Sequence, residues 1–179
     1  MNNFYSKFFL LSSLFLLSVA NVNADEQKIA VVNQQTAIEN SLCGKNYQEG
    51  MQKELESRQA KLNGKKDLVK KKYESLQRDK DILSKKELEN KEKELETLQQ
   101  DLQKMHEKFE MELGNKDQEE HQKINKWFTK AVENIGAKDK YDLVLPANVV
   151  FYFGDNVGDI TSNVTAELDK VYKEQAKKK

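Results

Sequence analysis

Two sets of apolar residues, with most steps of four or seven, mirror one another across residue 82. Met51, Leu55, Leu62, Val69 and Leu76 lead toward that point, and Leu88, Leu95, Leu102, Phe109 and Leu113 lead away from it. Folding the chain there sets Leu76 against Leu88, Val69 against Leu95, Leu62 against Leu102, Leu55 against Phe109 and Met51 against Leu113. The repeat is that of a left-handed coiled-coil seam. One antiparallel register satisfies every layer, which predicts a helical hairpin rather than one uninterrupted helix. At the tip, Ser84 and Glu87 have the spacing of a capping box, so the turn is placed at Asp79 to Ser84. Short turns between antiparallel helices need neither Gly nor Pro. The second heptad position of the first helix falls on Gln52, Gln59, Lys66, Tyr73 and Lys80, which are mostly polar. Burying a Leu-sized side chain gains about 1.5–3 kcal/mol, while ordering backbone costs about 1–2 kcal/mol per residue. So thin a seam predicts a long, compliant arm.

The flanking patterns have different periods. Lys28 to Asn33 (KIAVVN) is β-branched and apolar, and predicts a strand. Thr36 and Glu39 suggest a second capping box, and Gly44 is expected to interrupt the short helix it starts. The first arm helix is then expected from about Lys45 to Arg78, about 50 Å long. Gly44, Gly50 and Gly114 fall together at the arm's root, which predicts a hinge. Beyond a polar run to Lys123, Ile124, Trp127, Phe128, Ala131, Val132 and Ile135 form a wide apolar helix face, with Gly136 as the expected C-terminal cap. Tyr141–Leu145 and Val149–Phe153 are expected strands joined through Pro146, Ala147 and Asn148. Asp159 should cap a last helix faced by Ile160, Val164, Leu168 and Val171. Lys177, Lys178 and Lys179 are expected to fray.

These elements predict an α+β fold, mostly α: a long antiparallel helical hairpin projecting from a small three-stranded β body. The expected parts are 25–44 (body strand and short helix), 45–123 (arm, tip near 79–84) and 124–176 (remainder of the body). A body of about sixty residues buries little surface, and a three-stranded sheet leaves open edges. Both faults predict an obligate oligomer, with Ile29, Val31, Val144, Val150 and Tyr152 as candidate interface residues.

The first 24 residues stand apart. Lys7 precedes an apolar run from Phe8 to Ala20, and Val22-Asn23-Ala24 suits a cleavage site, so residues 1–24 are expected to be a signal peptide and Asp25 the mature start. The run is short for an uncleaved membrane anchor. Export to an envelope compartment follows, and Cys43, the single cysteine, has no internal disulfide partner there. It is expected to be a small buried hydrophobe.

Thirty basic and thirty acidic residues cancel, so no global basic field draws in nucleic acid. Basic residues nevertheless concentrate in the distal arm. Lys65, Lys66, Lys70, Lys71, Lys72, Arg78, Lys85 and Lys86 are the candidates to face a client or an anionic lipid surface; otherwise they form a solvated, ion-paired face. His106 and His121 lack metal-ligand spacing, no carboxylate pair is expected in a pocket, and no Gly-rich phosphate loop is present. No cofactor is expected. Asn163-Val164-Thr165 matches a glycosylation sequon on an amphipathic helix and is read as chance. Trp127 and Phe128 are read as core rather than client contacts.

The C-terminal stretch YDLVLPANVVFYFGDNVGDITSNVTAELDK resembles the "DLV…AN.V.Y…DIT..V" pattern of the Skp/OmpH family of periplasmic chaperones. KIAVVN and the Gly44-Lys45 pair fit as well. The resemblance spans the mature chain, with the arm matching in period and length rather than in residues. It implies a homotrimer with three helical arms enclosing a cavity for unfolded outer-membrane proteins, an ATP-independent holdase in the periplasm, and no enzymatic activity. Anionic membrane or lipopolysaccharide is a second implied partner class. This near-neutral chain departs from the basic arm surface of the family, so electrostatic capture is expected only at Lys65–Lys86. The competing expectation is a structural coiled-coil adaptor of the envelope that binds one folded partner.

Overall fold

The protein was analysed as a computed structural model that describes residues 27–177. The expected signal peptide lies outside the described residues. In order, the chain forms β1 (Ile29–Val32), α1 (Gln34–Asn40), α2 (Leu42–Asp79), α3 (Lys85–Asp139), β2 (Leu143–Pro146), a single 3-10 turn (Ala147–Val149), β3 (Gly158–Asp159) and α4 (Thr161–Ala176). α2 and α3 are the two rods of the hairpin, and the remaining elements gather at its base.

β1 is the middle strand of a three-stranded sheet, with β2 and β3 both parallel to it. Ile29 pairs with Leu143 and Val32 with Pro146 on one side, and Ala30 with Gly158 and Val31 with Asp159 on the other. The third strand is therefore not the expected Val149–Phe153. That segment starts in the 3-10 turn and then runs without a partner strand among the described residues. Gly158 and Asp159 have little intrinsic strand preference. They lie just ahead of α4, whose apolar face packs on the core and holds them beside β1. The Ile160 amide, next in the chain, donates to the Val31 carbonyl at 2.9 Å.

The core joins residues far apart in sequence. Ala30 and Val32 from β1, Ala37 from α1, Cys43 from α2, Ile124, Phe128, Ala131 and Ile135 from α3, and Ile160, Val164, Leu168 and Val171 at α4 form one buried cluster. The predicted apolar face of α3 is thus the floor of the body, with Trp127 and Val132 at its margin. The ring of Trp127 meets Tyr172 edge-on at 5.4 Å.

Local chemistry sets the boundaries. α1 is capped by Asn33, whose side-chain oxygen accepts the Thr36 amide at 3.0 Å, so it begins ahead of the expected Thr36–Glu39 box. Glu39 instead accepts from Gln35 at 2.9 Å. The break between α1 and α2 falls at Ser41 rather than at Gly44. The buried Ser41 hydroxyl donates to the Ile38 carbonyl at 2.6 Å and accepts the Gly44 amide at 3.1 Å. Gly44 lies inside the first turn of α2, where a Cβ would stand 2.0 Å from the Ile38 oxygen. Its requirement is close approach, not helix breaking. The first amide of α2, an orphan donor, is satisfied by Asp169 of α4 at 2.7 Å.

α3 continues one turn past Gly136, the expected cap, and ends at Asp139 with Lys140 in the left-handed conformation at φ 56°. The Tyr141 amide closes the end on the Gly136 carbonyl at 3.0 Å. Lys28 ties this corner to the sheet. Its amide donates to Asp142 and its ammonium to the Asp139 carbonyl, each at 2.7 Å. The N-cap position of α4 falls on Ile160 rather than on the expected Asp159, whose carboxylate nevertheless accepts the Thr161 amide at 2.8 Å.

Candidate functional site

The arm is the candidate site, and its tip follows from two residues. The Ser84 hydroxyl accepts the Glu87 amide at 3.4 Å, and the Glu87 carboxylate accepts the Ser84 amide at 3.0 Å, a reciprocal capping box that starts α3. The Ser84 hydroxyl and amide hold the Glu87 carboxyl below its usual range. α2 ends at Asp79, which accepts from Ser75 at 3.1 Å and pairs with Lys91 across the hairpin at 3.4 Å. The turn thus occupies residues 80–84.

Along the rods, few side chains are truly buried: Leu62 and Leu76 on the arm part of α2, and Leu95 on that of α3. The second seam position departs from expectation. Gln52, Gln59, Lys66, Tyr73 and Lys80 are exposed, whereas Arg58, Lys65 and Asp79, one residue earlier in the repeat, are half-buried. On α3, Leu98 and Met105 are half-buried seam residues that the heptad reading omitted. Charged ends with long aliphatic stems can cover a seam while keeping the charge wet. A reading that scores Arg and Lys as polar misses this.

The register also slips at one layer. Leu55, expected opposite Phe109, is 49% exposed. Arg58 stands over the Phe109 ring instead, with its guanidinium 4.9 Å from the ring centre. The same guanidinium bonds Glu54 at 2.7 Å and Glu112 at 2.9 Å, and Lys116 reaches Glu54 at 3.1 Å. Lys116 and Arg58 together lower the Glu54 carboxyl. This cation–π contact and its four-charge network replace an apolar layer.

The predicted distal basic residues do not converge. Lys65 is half-buried in the seam, Lys72 pairs with Glu94 at 2.7 Å, Lys70 lies 3.9 Å from Glu74, and Arg78 lies 3.5 Å from Asp79. Lys66, Lys71, Lys85 and Lys86 are exposed and make no ion pair among the described residues. They are strung along about 20 Å of α2 and around the tip, so they form a sparse stripe rather than a pocket.

At the root, Tyr47 crosses from α2 to α3. Its hydroxyl bonds Asp117 and lies 3.2 Å from His121 Nε2, and its ring sits 5.0 Å from the imidazole. Burial and the Asp117 carboxylate push the phenol up to about 12, so it keeps its proton. Tyr47 and His121 also wall a cleft of about 560 Å³ between α1, α2 and α3, lined largely by carboxamides. No pattern in the sequence marked Tyr47, because it belongs to neither the heptad nor the body's apolar face. His106, the other histidine, lies 3.3 Å from Glu110 on its own helix. No cluster of His, Cys, Asp or Glu suited to a metal occurs among the described residues. Cys43 is buried, and desolvation raises its thiol above the usual range. Among the described residues, no helix is long and apolar enough to cross a membrane.

Of the interface candidates, Val31 is 1% exposed within the single chain, while Ile29, Val144 and Val150 are half-buried and Tyr152 is 85% exposed. Next to Tyr152, Phe151 is fully exposed.

A two-rod arm rooted in a miniature parallel sheet defines a helical-arm protein. The comparisons with known proteins agree. Residues 28–168 match the family model "Outer membrane protein (OmpH-like)", and the chain belongs to the OmpH-like family. It is 26% identical over 158 residues to a protein named Chaperone protein Skp from Blochmanniella pennsylvanica, covering 87% of this chain and 93% of that one. It is 25% identical over 162 residues to the protein of the same name from Yersinia enterocolitica, covering 90% and 98%. A crystal structure of a putative outer membrane chaperone (OmpH-like) from Caulobacter crescentus CB15 superposes with a TM-score of 0.75 at 18% identity, over 81% of this chain and 85% of that one. That structure shares the fold.

Proposed function

We propose that this protein is an ATP-independent holdase of the periplasm, which shelters unfolded outer-membrane proteins between helical arms and keeps them from aggregating before insertion. Family membership over most of the chain carries this reading, and the arm supplies a physical route to it. A holdase needs a container that adapts and many weak contacts that add up. A hairpin with three buried apolar side chains along its rods, stiffened elsewhere by exposed ion pairs, is such a container. The exposed Lys66, Lys71, Lys85 and Lys86 provide weak electrostatic contacts for acidic clients, anionic lipid or lipopolysaccharide.

The holdase works as a homotrimer built through the body. Val149–Phe153 supports this: it has strand composition, no strand partner among the described residues, and exposed Phe151 and Tyr152. β2 and β3 are sheet edges that can accept a further strand. The role is non-enzymatic and needs no cofactor, and residues 1–24 act as a cleavable signal peptide.

Two measurements together test the reading. The mature chain, residues 25–179, should have the mass of a trimer in solution, and it should suppress aggregation of several unrelated barrel proteins diluted from urea. An adaptor would bind one folded partner and rescue none of them.

A further inference from the structure

The arm is fastened in two different ways along its length. On α2 no side chain is buried between Gly44 and Leu62, and on α3 none between Leu95 and Ile124. Near the body, this span is held by polar bridges. Tyr47 reaches Asp117 and His121 on the body side, and the Glu54–Arg58–Glu112–Lys116 network joins the rods beyond it. Gly50 lies between these two sets of bridges on α2, and Gly114 lies on α3 inside the second set, between Glu112 and Lys116. A Cβ at either would meet nothing within 4 Å, so neither glycine serves close packing. What each contributes is a helix turn that bends at low cost.

We propose that Tyr47 is the positioning residue of the arm: its hydroxyl latches α2 to α3 on the body side of the paired glycines and so fixes the angle at which the arm leaves the body. The latch is one hydrogen bond to a carboxylate with an imidazole beside it. Removing it leaves this span held by the Glu54–Lys116 pair and, at the start of α2, by Asn46, which donates to Tyr172 of α4 at 3.0 Å. The four charges hold the rods to each other rather than to the core, and a partly exposed pair contributes only about 0–1 kcal/mol, so they substitute for it weakly. The consequence for client capacity rests on the holdase reading, because a freed arm would widen the space between arms. The latch itself does not depend on that reading.

The test is a distance distribution in the mature chain. Spin labels are placed at Lys86→Cys near the tip and Asn163→Cys on α4, both exposed, with Cys43→Ala removing the native thiol. Labelled protein is diluted into an excess of unlabelled protein so that only distances within one chain are read. Tyr47→Phe keeps the ring beside His121 and removes the hydroxyl. It should increase the population of splayed arms roughly tenfold or more, the ratio carried by one hydrogen bond to a charged acceptor. Asp117→Ala should do the same, and Asp117→Asn, which still accepts a hydrogen bond, should restore most of the original distribution. Gly50→Ala should narrow it. An unchanged distribution in Tyr47→Phe would overturn the proposal. So would a widening accompanied by loss of amide protection in α4, which would mark Tyr47 as a body residue. No client enters the experiment, so its failure is distinct from failure of the aggregation assay.

Discussion

The arm and the body use similar side chains in opposite ways. In the body, twelve buried residues from β1 to α4 meet in one cluster, and the contacts close loops of more than a hundred residues. In the arm, two consecutive rods lie side by side, yet only Leu62, Leu76 and Leu95 are buried. Burial is therefore dense in the body and sparse in the arm, where ion pairs supplement packing. Exposed pairs of this kind contribute about 0–1 kcal/mol each. The body is the anchored part, and the arm is the part free to change shape.

The contrast can be broken most sharply at the core. Leu168→Ala, at a side chain with no exposure, should cost about 2–5 kcal/mol and lower the midpoint of the whole cooperative transition in urea. Leu95→Ala removes a side chain of equal size from the arm. Its surroundings can collapse into solvent-facing space, so the cost should fall at the low end, about 2 kcal/mol. Amide exchange should accelerate around residues 62–109 while the body keeps its protection.

The glycines give a smaller test within one helix. Gly44→Ala should displace α1, because the new methyl meets the Ile38 carbonyl at 2.0 Å, and should destabilise by about 1–3 kcal/mol. Gly114→Ala, in open space, should stabilise by up to about 1 kcal/mol. Thermal melting of the two variants should move in opposite directions.

Smaller still is the effect at the tip. Ser84→Ala should cost about 0.5–2 kcal/mol of local stability and fray the start of α3. The Glu87 carboxyl is held below its usual range by Ser84. A depressed carboxyl stabilises the fold above its unfolded pKa and loses that contribution as pH falls through the folded value. The tip should therefore loosen from roughly pH 4.3 downward, visible in the exchange of the 85–90 amides and weaker in Ser84→Ala, where the backbone amide at position 84 still donates to Glu87.

The hairpin was legible because its information is local: a period, a point of reflection and one capping box. The same heptad rule misplaced the second seam position, since it treats Arg58 and Lys65 as purely polar when their stems can pack. Leu55 shows the other side of that error, an apolar residue at a heptad position that the register leaves exposed at 49%. The body was legible as a set of strands but not as a sheet. Val149–Phe153 carries the strand composition and has no partner strand here, whereas Gly158–Asp159 carries none and pairs with β1. Composition reports what a segment can do. Pairing depends on which edge is adjacent. At the candidate site, the distal lysines followed from charge counting, while Tyr47 emerged only once α2 and α3 were set side by side.

Hydrogen exchange of the mature chain at neutral pH, followed by mass spectrometry, compares both regions in a single experiment. The account predicts amides of α3 beyond Ile124 and of α4 protected to nearly the stability of the whole fold, with those from Tyr47 to Asp117 exchanging orders of magnitude faster through local opening. Uniform protection from body to tip would contradict it.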